Sequence, residues 1–467
     1  MEETLNMNEV KTQQPLKENK MGTMPMTKLI LTMSLPAIFS MTIQALYNVV
    51  DSIFIGNYDQ KGLTALSLAY PLQMLLISVA VGTAVGVNSL VSRKLGEKNF
   101  KMADDAATHG LLLCILSYAV FLLLGLFAVK PFMGAYTQDS AIYTYGVEYL
   151  TVVLCLSVFS IIEIMIEKTL QATGNMIFPM LFQLMGAVVN IIFDPLLIFG
   201  IGIFPEMGVT GAAVATVFGQ FCGMVFSVIV LFCKKHEVKI TFKNFRFNLT
   251  TVKNIYAVGF PSIIMQSISS IMIIGMNTIF TLANSIYSEA CITVLGVYFK
   301  LQSFVFMPCF GLNQGVMPII GYNYGARNRK RMYSALKRGI IIAVIIMAIG
   351  VVLMWTIPDT LISLFDGDES LMQIGATAFR IISLCFIPAA VGILFTTLFQ
   401  AVGKGIRSLI MSVCRQLLLI LPIAYALSSI FGIESSWYAF PIAEIGSLIL
   451  AICFFINLVK TDFKKLG

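Results

Sequence analysis

Twelve stretches of this chain are each long and apolar enough to cross a bilayer, and no other feature limits its fold as strongly. A spanning helix takes about 20 mostly apolar residues. The stretches lie at 28–55, 64–91, 107–130, 141–167, 176–203, 208–233, 255–281, 291–320, 339–357, 372–401, 408–430 and 437–459. Inside hydrocarbon the backbone must satisfy its own polar groups, so runs of this kind become helices. Of the 467 residues, 58% are hydrophobic and 12% charged, where soluble domains carry roughly a quarter charged. These figures exclude a disordered chain and a nucleic-acid binder with a basic face. They predict an all-α polytopic membrane protein.

The net charge of +7 is explained by position rather than by an acidic partner. Short loops rich in lysine and arginine stay on the cytoplasmic side. Twenty-five of the 31 basic residues fall on alternate connections and tails, grouped around Lys28, Arg93, Lys234, Arg327, Lys404 and Lys460, against two, Lys61 and Lys130, on the other side. The remaining four, Lys168, Lys300, Arg380 and Arg415, lie inside spans. This asymmetry predicts a multi-pass protein of the plasma (inner) membrane with both termini cytoplasmic. The segment 1–27 is polar, without the apolar core of a signal peptide, and reads as a disordered cytoplasmic tail.

The chain also repeats itself. Gly82, Gly86, Gly96 and Gly110 recur as Gly311, Gly315, Gly325 and Gly339, each displaced by 229, and Gln171-Ala172-x-Gly174 recurs as Gln400-Ala401-x-Gly403 at the same displacement. Leu35-Pro36 and Phe260-Pro261 match at 225. Six spans per copy is an even number, so the halves share one orientation and relate by an axis along the membrane normal. The expected architecture is twelve transmembrane helices in two pseudo-symmetric six-helix lobes. The tail occupies 1–27, the first lobe 28–233, a basic cytoplasmic linker 234–254, and the second lobe with a short tail 255–467. The turns after Gly96 and Gly325 are expected at the interface.

Several chemistries are missing from the pattern. The nine cysteines lie in or beside apolar runs with no CxxC spacing, and His109 and His236 belong to no zinc motif. Gly403-Lys404-Gly405 lacks the rest of a phosphate-binding loop. An enzyme and a resident cofactor are therefore not expected.

The informative residues are those that hydrocarbon should reject. A charge at the bilayer centre costs at least about 2.5 kcal/mol, yet Asp51, Glu163, Glu167, Asp194, Lys300, Arg380, Arg415 and Glu444 fall within spans. Four of the acids are in the first half, and at the repeat positions Asp194 meets Ile423, Glu167 meets Thr396 and Glu163 meets Gly392. The scaffold is duplicated while the chemistry is not. Residues three and four apart share a helix face, so Gln44, Asn48 and Asp51 form a stripe on span 1, and Gln183, Asn190 and Asp194 another on span 5. Glu163, Glu167 and Gln171 form a third, nearer the inner end of span 4.

Asp51 and Asp194 come late in two spans that run the same way, so they should lie at comparable depth and can share a site. A carboxylate withdrawn from water, and more so one beside a second carboxylate, takes up a proton more readily. This pair suits a proton or sodium switch, with Asn190 as a donor to the carboxylate or an oxygen for a cation. Pro36 and Pro195 allow the two helices to bend. Gln44, Asn48, Glu163 and Glu167 are candidate substrate-binding residues, although Glu167 also reads as an interfacial acid beside Lys168. Static pairing is the simpler reading for Lys300, Arg380, Arg415 and Glu444.

These residues resemble the multidrug and toxic compound extrusion (MATE) family over about residues 28–459. The likeness rests on Pro36 followed by Asp51, on Asn190-x-x-x-Asp194-Pro195, on Gln171-Ala172-Thr173-Gly174 with Gln400-Ala401-Val402-Gly403, and on Gly208-x-x-Gly211-Ala212-Ala213. The DNA-damage-inducible and bacterial multidrug-export branch is the nearest match. That resemblance implies proton or Na+ binding in the first lobe at Asp51, Asn190 and Asp194, with Thr216 as a further oxygen and Glu167 as an acid for cationic drugs. The branch that couples through acids on spans 7 and 10 has no counterpart here, where span 10 carries Arg380. The implied function is antiport of cationic amphipathic compounds by alternating access, by a monomer in the lipid bilayer. The alternative is a flippase for an anionic lipid-linked oligosaccharide, with Lys300, Arg380 and Arg415 lining its cavity.

Overall fold

The computed structural model describes residues 19–243, 245–283, 285–363 and 369–466, apart from the side chains at 48 and 369–371 and the last two of that range. Residues 1–18 of the expected tail, and the side chain of Asn48, lie outside the described residues. Among the described residues the structure is helical throughout, with no β-strand. Ten helices are each long and apolar enough to cross a membrane, and two bent pairs qualify as pairs. With each pair taken as one span the total is twelve.

The first lobe comprises span 1 (Met26–Tyr58), span 2 (Gln60–Gly96), span 3 (Phe100–Phe127), span 4 (Ser140–Cys155 with Val158–Ala172), span 5 (Ile177–Ile198) and span 6 (Gly208–Cys233). The second comprises span 7 (Leu249–Leu282), span 8 (Ser288–Gly325), span 9 (Arg329–Thr356), span 10 (Glu369–Ser383 with Phe386–Ala401), span 11 (Gly405–Phe431) and span 12 (Ile433–Thr461). Spans 4 and 10 occupy matching places in the repeat and are bent alike, by 47° and 46°. The span 4 break holds no proline or glycine, whereas the span 10 break is followed by Pro388, which has no N–H to offer the Leu384 carbonyl. Near both breaks serine hydroxyls take up carbonyls, Ser157 Oγ bonding that of Leu154 at 2.8 Å and Ser383 Oγ that of Arg380 at 3.1 Å.

The repeat reaches the backbone torsions. The turns after spans 2 and 8 each place a non-glycine residue in the left-handed region, Lys98 at φ 58° and Arg327 at φ 55°. Gly174 and Gly403 match at φ 87° and 82°. Span 7 starts at Leu249, capped by the Asn248 side chain, so the last six residues expected in the linker are already helical. That first turn is polar, which is why the apolar run understates the helix.

The lobes meet only over part of their depth, and glycine decides where. Span 2 packs on spans 7 and 8, and span 1 on span 8. A Cβ on Gly86 would overlap the Ile255 carbonyl, one on Gly96 the Tyr322 carbonyl, and one on Gly325 the Arg93 carbonyl. Gly311 and Gly315 similarly admit Ile38 and Ser34 of span 1. Small residues let helices approach to backbone contact. All of these points lie on the half of each span nearest the basic loops. Met21, Leu29, Ile30 and Met33 join the second lobe's core, while Ile255 of span 7 and Val238 of the linker join the first. The face bearing the basic loops is thus sewn shut.

The segment entering span 1 adds a clasp on that face. Asn19 Nδ2 bonds the Thr173 carbonyl at 3.0 Å and Glu237 Oε2 at 2.7 Å, while Asn323 and Arg331 of the second lobe donate to the Met21 carbonyl at 3.1 Å each. The linker is anchored by buried His109, whose Nδ1 bonds the Asp105 carbonyl at 2.8 Å and whose Nε2 accepts the Asn248 N–H at 2.8 Å.

Candidate functional site

Spans 1 and 5 are neighbours in the first lobe, and their stripes face each other. The carboxyl groups of Asp51 and Asp194 come within hydrogen-bonding reach. Asp194 is wholly buried. Asn190, one turn earlier, donates from Nδ2 to Asp194 Oδ1 at 3.1 Å and lies 3.3 Å from Thr216 Oγ1 on span 6. The four residues expected at the ion site are therefore contiguous. The structure adds two tyrosines beside them: Tyr47, a turn before Asp51 and near Glu163 and Asp194, and Tyr149 of span 4, near Gln73. Tyr47 stands four residues before Asp51, so the span 1 stripe contained it; its aromatic body hid it among the apolar residues.

Two carboxylates in contact repel unless something positive lies between them. Three buried oxygens here, Asp51 Oδ1, Asp194 Oδ2 and Asn190 Oδ1, have no hydrogen-bonding partner among the described residues. Buried polar atoms are normally satisfied, and a shared proton or a small cation would satisfy these. The donor set is all oxygen, as a hard cation such as Na+ requires. Among the described residues no three histidine, cysteine or acidic side chains converge as a metal centre.

Asn190 and Thr216 also border a cavity of about 130 Å³ between spans 1, 4, 5 and 6. Glu163, Glu167 and Gln183 line another part of it, with Gln44 and Tyr47 from span 1. Glu163 is buried, and its carboxyl occupies the space left by the missing side chain of Gly223 on span 6. Glu167 is 3% exposed, and both its oxygens are engaged: Oε1 with Lys168 Nζ at 2.9 Å and Gln171 Nε2 at 2.8 Å, Oε2 with Gln183 Nε2 at 2.9 Å. Burial at this level argues against a water-facing interfacial acid. Pro36 lies within the unbroken helix of span 1, beside the Gly311 contact, and Pro195 in the last turn of span 5.

The second lobe is built differently at the matching place. At the positions corresponding to Gly186 and Ala215 it carries Arg415 and Glu444, which pair with each other at 3.3 Å. The Glu444 carboxyl lies against Gly392, the counterpart of Glu163. Arg415 sits on a π-helical stretch, Cys414–Ile420, within span 11.

The MatE family model matches residues 36–196 and 265–426, one match in each lobe. The chain belongs to the MatE family. Among its relatives is the multidrug export protein MepA of Staphylococcus aureus (strain bovine RF122 / ET3-1), 26% identical over 424 residues, or 90% of this chain and 91% of that one. The MepA of Staphylococcus saprophyticus is 25% identical over 412 residues, covering 88% and 89%. A structure described as the outward-facing conformation of a multidrug resistance MATE family transporter of the MOP superfamily superposes with a TM-score of 0.90, at 24% identity over 97% of this chain and all of the other. That likeness concerns the MatE fold. The flippase alternative is not favoured: no lysine or arginine lines the cavity described, Arg415 is taken up by Glu444, and the MatE relatives are multidrug export proteins.

Proposed function

We propose that the chain is a secondary active exporter of cationic amphipathic compounds, driven by counter-movement of H+ or Na+ and working as an alternating-access transporter rather than an enzyme. The observation that carries this reading is the contact between Asp51 and Asp194 on adjacent helices, because one proton or cation bound there changes the net charge beside a cavity that is lined by Asn190, Glu163 and Glu167. Basic loops mark the cytoplasmic face, so the seam that is closed here is the inner one, and both termini are cytoplasmic in the plasma membrane. In this reading the ion enters from outside and occupies Asp51, Asn190, Asp194 and Thr216. Spans 1 and 5 then bend at Pro36 and Pro195, and the substrate, held by Gln44, Asn48, Glu163 and Glu167, loses its counter-charge and leaves. A single chain suffices.

The test is efflux of a fluorescent lipophilic cation from proteoliposomes under separately imposed pH and sodium gradients. Wild-type protein should respond to at least one gradient, and Asp194→Asn, folded by thermal-shift and size-exclusion criteria, should respond to neither. Undiminished ion-driven export by Asp194→Asn would reject the assignment.

A further inference from the structure

Lys168 is buried at the seam between the lobes, and its ammonium has three acceptors. Nζ lies 2.9 Å from Glu167 Oε1, 3.1 Å from Gln171 Oε1 and 2.8 Å from Gln314 Oε1. Three acceptors use all three of its hydrogens. Two belong to its own helix, but Gln314 belongs to span 8 of the other lobe, at the glycine-lined contact where Gly311 and Gly315 meet span 1. Gln171 Nε2 also reaches Gln314 Oε1, at 3.2 Å. The same carboxylate that faces the cavity is thus neutralised by a lysine whose position depends on the opposite lobe.

We propose that Lys168 is a tethered counterion that replaces the transported cation at Glu167 when the basic face closes. This deepens the exporter reading and rests on it. Successive residues on a helix point about 100° apart, so Lys168 meets its neighbour Glu167 only by folding along the helix, and Gln314 holds it there. With the lobes closed, the negative charge of Glu167 is already spent, and a cationic substrate is held weakly and released to the open side. When the basic face opens, span 8 carries Gln314 away, the ammonium loses one of its three acceptors and is drawn toward water, and Glu167 becomes available to an incoming cation. The lobe contact, and not only the ion at Asp51, then sets the affinity for substrate. A merely structural ion pair would fix span 4 and would need no acceptor across a seam that opens in every cycle.

The test compares the full-length wild-type chain with Lys168→Met, Lys168→Arg, Gln314→Leu and the double variant Lys168→Met/Glu167→Gln, using tetraphenylphosphonium as the probe. Lys168→Met should bind the probe about tenfold more tightly in detergent, and in proteoliposomes its KM and kcat should fall together because release is slowed. Gln314→Leu should shift both in the same direction by a smaller factor, Lys168→Arg should stay near wild type, and Glu167→Gln should cancel the gain. Unchanged or weaker binding by both Lys168→Met and Gln314→Leu overturns the proposal; should Lys168→Met fail to fold, Gln314→Leu alone decides. If wild-type protein exports the probe under a gradient while these variants keep its KM, the counterion role fails and the exporter reading stands. Absence of probe transport by wild type removes both.

Discussion

Gly96 of span 2 lies directly against the backbone carbonyl of Tyr322 on span 8, and Gly325 of span 8 lies against that of Arg93 on span 2. This reciprocal contact is the repeat expressed as packing, since the two glycines are the 229-residue counterparts noted in the sequence. Filling it should pry the basic face open. Overpacking typically costs about 1–3 kcal/mol, enough to shift a two-state equilibrium by about 5- to 150-fold. Gly96→Val should therefore lengthen spin-label distances across the basic face and shorten those across the opposite face. Distance distributions identical to wild type would mean that the contact does not govern lobe closure.

Asn190 links the ion pocket to span 6 through Thr216. Asn190→Ala removes a donor to Asp194 and an oxygen available to a cation. Hydrogen bonds to charged groups contribute about 1.5–3 kcal/mol, and the loss of a liganding oxygen is of similar size, so in sodium-driven export the sodium concentration for half-maximal rate should rise by roughly tenfold or more. Thr216→Val should act in the same direction and more weakly. An unchanged ion dependence in Asn190→Ala would place ion binding elsewhere.

The Arg415–Glu444 pair makes the opposite prediction, about stability rather than transport. Removing one partner of a fully buried pair costs about 3–5 kcal/mol, whereas replacing both with apolar residues of similar size is often neutral; with the Arg415 side chain 26% exposed, the cost here falls below that range. Arg415→Met alone should lower the melting temperature in detergent, and Arg415→Met with Glu444→Met should recover most of it. Failure of the double variant to recover would assign the pair a role beyond charge balance.

His109 joins the linker to span 3, and its Nε2 must be unprotonated to accept the Asn248 N–H. His109→Ala leaves that amide without its acceptor, a cost of about 1–3 kcal/mol locally. The linker should then exchange its amide hydrogens faster between 234 and 248 while the spans stay protected. Equal exchange in both proteins would show that Phe245 and Phe247, which pack on the imidazole, hold the linker unaided.

What could be read from the chain followed from features that hydrocarbon enforces. Long apolar runs, misplaced carboxylates and glycines in register anticipated the twelve spans, the two lobes and the proximity of Asp51 to Asp194. Features decided by packing were hidden. The break at Leu156–Ser157 carries no proline or glycine to announce it, and a serine hydroxyl takes up a carbonyl beside it; the break at Leu384–Cys385 did have a signal in Pro388. Glu167 and Lys168 are adjacent in sequence and would normally diverge; Gln171 on the same helix and Gln314, 146 residues from Lys168, together bring the lysine round. Arg415 and Glu444 each looked isolated because their partnership crosses two spans. The repeat also marks matching ends of spans 1 and 7, yet only the folded chain reveals that residues at each join the other lobe's core.

The most direct test of coupling is ion displacement measured on the protein itself. Adding tetraphenylphosphonium to purified, weakly buffered protein should release protons, or bound radioactive sodium, in a fixed ratio to the probe taken up. Asp51→Asn and Asp194→Asn should release none. Equal release from wild type and both variants would contradict a shared ion at Asp51 and Asp194.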